Sequence, residues 1–277
     1  EIKESASELG MITSSMDNDD IIRRAKLFFT IDGEYFNSLG LSPLFLDLFQ
    51  NPAKHISQGK DFSKLIVDTL GKSISSLQAD GTLNLRFQSS IDDYLPYRAS
   101  DILKSYYALT RGEEPLLPPE NFTDTYCFFA LYAPGLYDIC SIPNNQVYPG
   151  VGVHITLLDN LLNNQFIHKT PWYFSVLWIF LLSFLGVFTI NISEKQTTSK
   201  KTILSLLLIP SFTIVFVILI SYFLFALGIW MPLINPILSF LSSFIFAFVF
   251  SYTKEGKQRR FIKNAFKQYV SPTVIEN

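Results

Sequence analysis

Charged residues are scarce in the second half of this sequence, and cysteine is scarce throughout. Asp, Glu, Lys and Arg make up 17% of the 277 residues, and none occurs between Lys169 and Glu194 or from Thr202 to Thr253. Such gaps exclude an ordinary soluble surface along those segments. Two cysteines, Cys127 and Cys140, exclude a disulfide framework and leave either one disulfide or two free thiols. We favour two buried free thiols.

The charge is divided unevenly along the chain. Up to Lys169 there are 13 basic and 21 acidic residues, a net charge of −8. From Pro171 onward there are 9 basic and 3 acidic residues, a net charge of +6. This asymmetry indicates that the two halves occupy different environments.

The uncharged stretches are long enough for three membrane-spanning helices, each of which needs about 20 apolar residues. We predict spans at 171–192, 203–227 and 234–252, in contact with a lipid bilayer. The second uncharged stretch must turn back at 228–233, where Gly228 and Pro232 interrupt a helix. Pro210 should kink the second span or mark its first turn. Buried helices of a soluble protein are the alternative, and they would require three such helices in one core.

The orientation follows from the distribution of Lys and Arg, which favours the cytoplasmic side. The loop 193–201 contains Lys195, Lys200 and Lys201, and the tail 253–277 contains six more basic residues, whereas the connection 228–233 contains none. We therefore predict that 193–201 and 253–277 are cytoplasmic, and that the acidic domain 1–168 and the turn 228–233 are extracytoplasmic.

The predicted fold class is an α/β extracytoplasmic domain followed by an all-α membrane bundle. Alternation at 82–87, after an Asp80–Gly81 turn, predicts a strand. The apolar run 126–132, which includes Cys127, predicts a buried central strand. Apolar spacing predicts helices over 36–49 and 153–162.

Several segments resemble the CHASE type 2 domain, a sensor on bacterial signalling proteins. Its acidic motif is similar to Asp17-Asn18-Asp19-Asp20-Ile21-Ile22-Arg23, with Asp20 in place of the usual glycine. Similar segments follow at 37–41 and 97–103. The most specific match joins Ala133-Pro134-Gly135-Leu136-Tyr137-Asp138 to Pro149-Gly150-Val151-Gly152-Val153-His154, and then to 159–162.

This resemblance covers about residues 5–252, including the three spans. It implies an extracytoplasmic ligand of unknown identity and a bacterial inner-membrane location. It also implies a further span and strand–helix segment before residue 1. The sequence has no initiator Met or signal peptide, so we expect the intact protein to continue beyond both ends.

The candidate chemistry in this domain is sparse. His154 could be a ligand or pH-sensing residue, but we favour a structural role in which it bonds a backbone carbonyl or Asp138. Asp17, Asp19 and Asp20 could attract Ca²⁺, but they lack the rest of an EF-hand loop, so we favour a solvated turn. We predict no catalytic, cofactor or metal site within this chain, and no nucleic-acid partner.

The tail carries one apolar helical face made of Phe261, Ile262, Ala265, Phe266 and Tyr269, with basic residues on the other faces. Ser271 and Pro272 should end this coupling helix and begin another. The segment 261–274 resembles the approach to class III nucleotidyl cyclase domains.

The second resemblance implies an adenylate cyclase, which converts ATP to cyclic AMP and pyrophosphate, in the intact protein. Such domains act as dimers with Mg²⁺ or Mn²⁺ held by aspartates, all of which would lie beyond Asn277. We therefore predict a homodimer through the spans and the coupling helix. The alternatives are the same sensor on a histidine or Ser/Thr kinase, or a membrane scaffold without catalytic output.

Overall fold

The computed structural model describes residues 9–32, 34–48, 77–78, 80–87, 90–131, 135, 138–195 and 199–267. The chain divides into two compact units, Glu1–His168 and Lys169–Asn277. The first is a mixed α/β unit with small sheets, and the second is helical. The predicted fold class, a mixed α/β domain followed by an all-α bundle, is thereby confirmed.

Small sheets form the framework of the first unit. The strands among its described residues are β1 (Gly10–Met11), β2 (Arg24–Lys26), β3 (Phe28–Ile31), β4 (Glu34–Ser38), β5 (Thr82–Asn84), β6 (Ile139–Ile142) and β7 (Asn145–Pro149). The short strand β8 (His168–Lys169) lies at the boundary with the second unit. Strand β4 lies between β1, which is parallel to it, and β3, which is antiparallel. Strands β2 and β5 form an antiparallel pair, and β6 and β7 form another. Gly81, with φ of 79°, makes the turn predicted before β5.

In the described part of this unit, three α-helices accompany these strands: α1 (Ser42–Leu48), α2 (Ala99–Thr110) and α3 (Gly150–Asn163). Short 3₁₀ helices occur at Ile91–Tyr94 and Pro119–Phe122. Helix α3 confirms the prediction for 153–162, and it is capped by Asn164, whose φ of 53° is usual at the end of a helix. Its residues Val153, Leu157 and Leu161 are at most 3% exposed and pack with Ile22, Leu27 and Leu83 in the core.

Three of the predicted elements differ from the structure. The strand predicted at 82–87 is shorter, because β5 covers Thr82–Asn84 and Arg86 and Phe87 belong to no strand. The strand predicted at 126–132 is wrong for 126–131, which belong to no strand and include Phe129 at 89% exposure. Cys127 is consequently exposed and free, whereas Cys140 is buried and free. The helix predicted over 36–49 begins at Ser42, because the preceding residues form β4 instead. Apolar content alone does not show whether a segment pairs with a neighbouring strand.

The second unit contains α4 (Trp172–Glu194), α5 (Ser199–Ala226) and α6 (Ile234–Lys267), with the short strand β9 (Ile229–Trp230) between the last two. All three helices are long and apolar enough to cross a membrane. Pro210 lies inside α5 rather than in its first turn. Helix α6 is continuous for 34 residues, so the predicted third span and the start of the predicted coupling helix form one element.

Small and hydroxylated residues allow these helices to approach one another, as is common in membrane bundles. Gly186 of α4 faces α6 so closely that an added Cβ would lie 2.8 Å from the Phe240 carbonyl oxygen. Ser183 and Ser239 share a hydrogen bond between α4 and α6, and Ser205 of α5 donates to Ser193 of α4 at 2.8 Å.

One end of this unit is fixed by contacts to Trp230. The backbone N–H and the hydroxyl of Thr170 both donate to the Trp230 carbonyl oxygen, at 3.1 and 3.2 Å. The Lys169 ammonium lies 5.5 Å from the centre of the Trp230 ring. The start of α4 and the connection between α5 and α6 therefore lie at the same end of the unit, as a three-span arrangement requires.

Candidate functional site

The acidic motif forms a compact ion-pair cluster instead of an open cation site. Arg23 donates to both carboxylate oxygens of Asp19 at 2.7 Å and to Asp17 at 3.0 Å. Arg24 donates to the other Asp17 oxygen. Because guanidinium groups occupy these carboxylates, the arrangement favours a structural turn over the Ca²⁺ alternative. Among the residues that the structure describes, there is no group of three potential metal ligands.

The pKa values of the two carboxyl groups reflect this pairing. Partial burial would raise the pKa of Asp17, but hydrogen bonds from Arg24 and Arg23 hold it below its ordinary value. The hydrogen bonds from Arg23 lower the pKa of Asp19 to about 2. Asp20 has φ of 58°, a left-handed conformation that glycine adopts without strain and aspartate tolerates. This conformation accounts for the glycine that the motif usually has here.

His154 joins α3 to the loop after β1. Its Nε2 lies 3.2 Å from the Ile12 carbonyl oxygen, to which it donates, so it bonds a backbone carbonyl and not Asp138. Burial lowers the pKa of His154, although the bond to Ile12 opposes that effect. The His154 carbonyl meets Gly40 so closely that a Cβ there would lie 2.4 Å from the oxygen. The bond from the ring to Ile12 favours the structural interpretation of His154.

The later motif residues connect β6 and β7 to the start of α3. The Gly150 N–H donates to the Asp138 carbonyl oxygen at 2.8 Å, and a Cβ on Gly150 would lie 2.9 Å from the Asp138 carboxylate. Pro149 ends β7 opposite Ile139. Gly135 has φ of 84°, a left-handed conformation that glycine adopts without strain, while Pro134 lies outside the described residues. Asp138, Pro149 and Gly150 are therefore brought together, whereas the Asp17 cluster is a separate group.

Cys140 is held within this part of the fold. Its thiol donates to the Tyr148 carbonyl oxygen at 3.3 Å, and burial raises its pKa to about 11. A thiol in this environment is unreactive at neutral pH.

Two buried asparagines, which were not predicted from the sequence, bond the backbone beside the core: Asn160 bonds the segment after β5, and Asn84 bonds the segment that precedes the first span. Asn160, in α3, accepts from the Arg86 N–H at 2.7 Å and donates to the Arg86 carbonyl at 3.1 Å. Asn84 donates its side-chain N–H to the Ile167 carbonyl at 3.2 Å, and its own carbonyl accepts from the Ile167 N–H. The available signal for Asn160 was an amide between the apolar positions Leu157, Leu158 and Leu161 of α3, since a buried amide must find partners.

A cavity of about 520 Å³ lies on the other side of α3 and was also missed. It is called the aromatic cavity here, because Tyr94, Tyr97, Phe122, Tyr126 and Phe128 line it. Helix α3 contributes an apolar stripe spaced at helical intervals: Val151, Ile155, Leu158 and Leu162. One face of α3 therefore packs against the core, and another face lines the cavity. No local sequence signal predicts the cavity, because its walls come from separate segments.

Most of the predicted coupling residues lie in α6. The side chains of Phe261, Ile262 and Ala265 are exposed, with Phe261 at 75% and Ile262 at 54%. Phe266 lies within the last turn of the helix. Tyr269 and Pro272 lie outside the described residues.

The family model of the CHASE2 domain matches residues 2–188 of the chain. The chain belongs to the CHASE2 family. CHASE2 is an extracellular sensor domain of transmembrane receptors, and the three apolar helices agree with a membrane protein. The family thus gives this chain a sensory role that involves an external ligand. No curated protein and no solved structure matches it.

Proposed function

We propose that this CHASE2 chain is the sensory and membrane-anchoring module of a transmembrane receptor adenylate cyclase. The proposal rests on the family match to residues 2–188, which covers the mixed α/β unit and most of the first apolar helix. The approach to a cyclase domain is supported by the sequence resemblance at 261–274. In the intact receptor, ATP would be converted to cyclic AMP and pyrophosphate by the dimeric cytoplasmic domain, which would require Mg²⁺ or Mn²⁺.

The proposed location is a bacterial inner membrane, with residues 1–168 outside and residues 253–277 in the cytoplasm. The basic residues of the 193–201 loop and the tail support this orientation. Thr170 and Trp230, which share one end of the helical unit, would then both lie on the outer side.

Signal transmission would begin in the core and follow the chain into the membrane. Asn84 holds Ile167 shortly before α4 begins at Trp172, so a change in the position of β5 would be passed along the chain to the segment that leads into the first span. Helix α4 packs against both α5 and α6. A ligand shifts such an equilibrium only by its difference in affinity for the two states.

Homodimer formation through the spans and the coupling helices would complete the mechanism. The exposed side chains of Phe261 and Ile262 form an apolar surface on α6 that parallel packing with a second copy would cover. A change in the register or spacing of these helices would then open or close the interface at which both active sites of a cyclase form.

The test is production of cyclic AMP by the intact protein, in membranes of a host strain that lacks its own cyclase. We expect ATP-dependent accumulation of cyclic AMP that requires Mg²⁺ or Mn²⁺. Transfer of phosphate from ATP to protein, without cyclic AMP, would contradict the cyclase and indicate a histidine or Ser/Thr kinase. Neither activity would indicate a scaffold.

Replacing Phe266 with Asp should uncouple regulation, because a carboxylate on the apolar face opposes helix pairing. We expect basal and stimulated cyclic AMP output to become equal in Phe266→Asp. Asn264→Asp adds the same charge off that face and should retain regulation. Unchanged basal and stimulated output in Phe266→Asp would refute the coupling mechanism.

A further inference from the structure

The aromatic cavity has the size and shape expected of a binding site for a small molecule. Its volume of about 520 Å³ falls within the range of about 300–1,000 Å³ that is typical of ligand pockets. Its floor includes Leu158, which is 3% exposed, and Ile155, which packs against the core. A change in its occupancy would therefore act directly on α3, which also holds Arg86 through Asn160.

Aromatic rings dominate the walls of the cavity. Tyr97 and Phe122 are in contact, with ring centres 5.5 Å apart and planes inclined at 53°. The hydroxyl of Tyr126 donates to Asp47, which fixes that ring at the rim. The faces of such rings bind apolar groups and also attract cations.

The charge within the cavity has one sign. Asp124 and Asp159 line it, and among the lining residues that the structure describes there is no Lys, Arg or His. Asp159 is oriented by two donors, the Tyr94 hydroxyl at 3.3 Å and the Asn163 side-chain N–H at 2.8 Å. Burial raises the pKa of Tyr94 to about 12, so its hydroxyl keeps the proton that it donates. An anionic ligand would meet two carboxylates and no compensating cation, which disfavours carboxylates and phosphates.

We propose that the aromatic cavity is the ligand site of this sensor, and that its ligand is a small apolar molecule carrying one protonated amine. The apolar body would lie on the aromatic rings, and the ammonium group would bond the carboxylates of Asp159 and Asp124. This inference rests on the proposed sensory function and adds the site and the chemical class of the ligand.

Native cysteines allow the site to be tested in the whole membrane chain. Cys127 lines the cavity and is exposed, whereas Cys140 is buried. The rate of Cys127 alkylation by iodoacetamide is measured by mass spectrometry in the presence of phenethylamine, 2-phenylethanol or 3-phenylpropionate. We expect phenethylamine to slow the reaction, and 2-phenylethanol to require an about tenfold higher concentration for the same effect. 3-Phenylpropionate should have no effect.

The carboxylates are tested by equilibrium dialysis with radiolabelled phenethylamine. The double variant Asp124→Asn, Asp159→Asn keeps the side-chain shapes and should bind about tenfold more weakly. Asp93→Asn is the matched control, because Asp93 is exposed on the nearby 3₁₀ helix and does not line the cavity. It removes one charge and should leave the affinity unchanged.

A second pair of variants tests the cavity without altering charge. Ala130 lines the cavity and is exposed, so Ala130→Trp should fill space there without disturbing the core, and should abolish amine binding. Phe129→Trp, at the adjacent exposed position outside the lining, should bind normally. Unreactive Cys140 in each variant shows that the fold is retained.

Three results would each overturn the proposal: no binding of phenethylamine in the millimolar range, equal affinity for the amine and the alcohol, or unchanged amine affinity in the folded double Asp variant. The assay needs no output domain. Amine binding in a protein that makes no cyclic AMP would therefore refute the cyclase alone. A regulated cyclase whose sensor binds no amine would refute this inference alone.

Discussion

Asn160 is the side chain on which the core connection depends most directly. It is 0% exposed, and it satisfies both the N–H and the carbonyl of Arg86. An unpaired polar group inside a protein costs about 1–3 kcal/mol, so loss of this amide affects two such groups at once.

Asn160→Ala should therefore lower the free energy of unfolding of the sensor unit by about 2–4 kcal/mol. Asn163→Ala, three residues later and exposed, should change it by less than about 0.5 kcal/mol. The melting temperature of the detergent-solubilised chain and hydrogen exchange at the Arg86 amide measure both effects. Equal stability of the two variants would contradict the role given to Asn160.

His154 should make the stability of this unit sensitive to mild acid. Burial lowers the pKa of His154 in the folded state. Below about pH 6.5 the unfolded chain therefore binds a proton at this imidazole more readily than the folded chain does. The stabilisation is therefore complete above the unfolded pKa and is lost as the pH falls from there through the folded pKa. In His154→Gln, which can still donate to Ile12, the melting temperature should fall less between about pH 7 and pH 5. Identical pH profiles for the two proteins would exclude this titration.

The sequence predicted single residues well where one physical constraint acts locally. The turn at Gly81 is such a case, because a positive φ has few permitted occupants. The pairing of Arg23 and Arg24 with Asp17 was not predicted, since it depends on how the chain folds back beside β2.

At the scale of elements, the three apolar helices were the most predictable part of the molecule. An uncharged stretch of about 20 residues has few physical explanations other than a membrane-spanning helix. The segment 126–131 was the least predictable, because an apolar run specifies burial without specifying what covers it. The aromatic cavity could not be predicted for a related reason, because it forms only where three separate segments of the chain meet.

Adding a side chain at each of two glycines should change the stability of the helical unit in opposite directions. Gly186→Val would force apart α4 and α6, since a Cβ at this position already lies 2.8 Å from the Phe240 carbonyl, and should cost about 1–3 kcal/mol. Gly256, also helical, has nothing within 4 Å of an added Cβ, so Gly256→Ala should stabilise α6 by about 0.5–1 kcal/mol. Thermal unfolding in detergent, followed by circular dichroism, distinguishes them. Destabilisation by Gly256→Ala would show that this stretch of α6 is not a free helix.

At the scale of the whole molecule, the proposed orientation can be read from the native thiols. A membrane-impermeant maleimide applied to spheroplasts should label Cys127, which is exposed, and should leave Cys140 unlabelled, because it is buried. In the Cys127→Ser background, Gln258→Cys places an exposed thiol on α6 beyond the apolar span, and this thiol should react only after the membrane is permeabilised. The reverse pattern would invert the proposed topology.

Because α6 is continuous, its length determines the direction in which the coupling face points relative to the membrane span. Its 34 residues extend about 50 Å, more than the hydrocarbon layer of about 30 Å, without a break between the apolar span and Phe261. Each residue of an α-helix advances the side chains by about 100°, so the azimuth of the coupling face is fixed by the number of residues between it and the span. Adding one residue would turn that face away from a partner, whereas adding seven would return it to within about 20°. The length of this connection is thus as much a part of the signalling apparatus as the side chains that it carries.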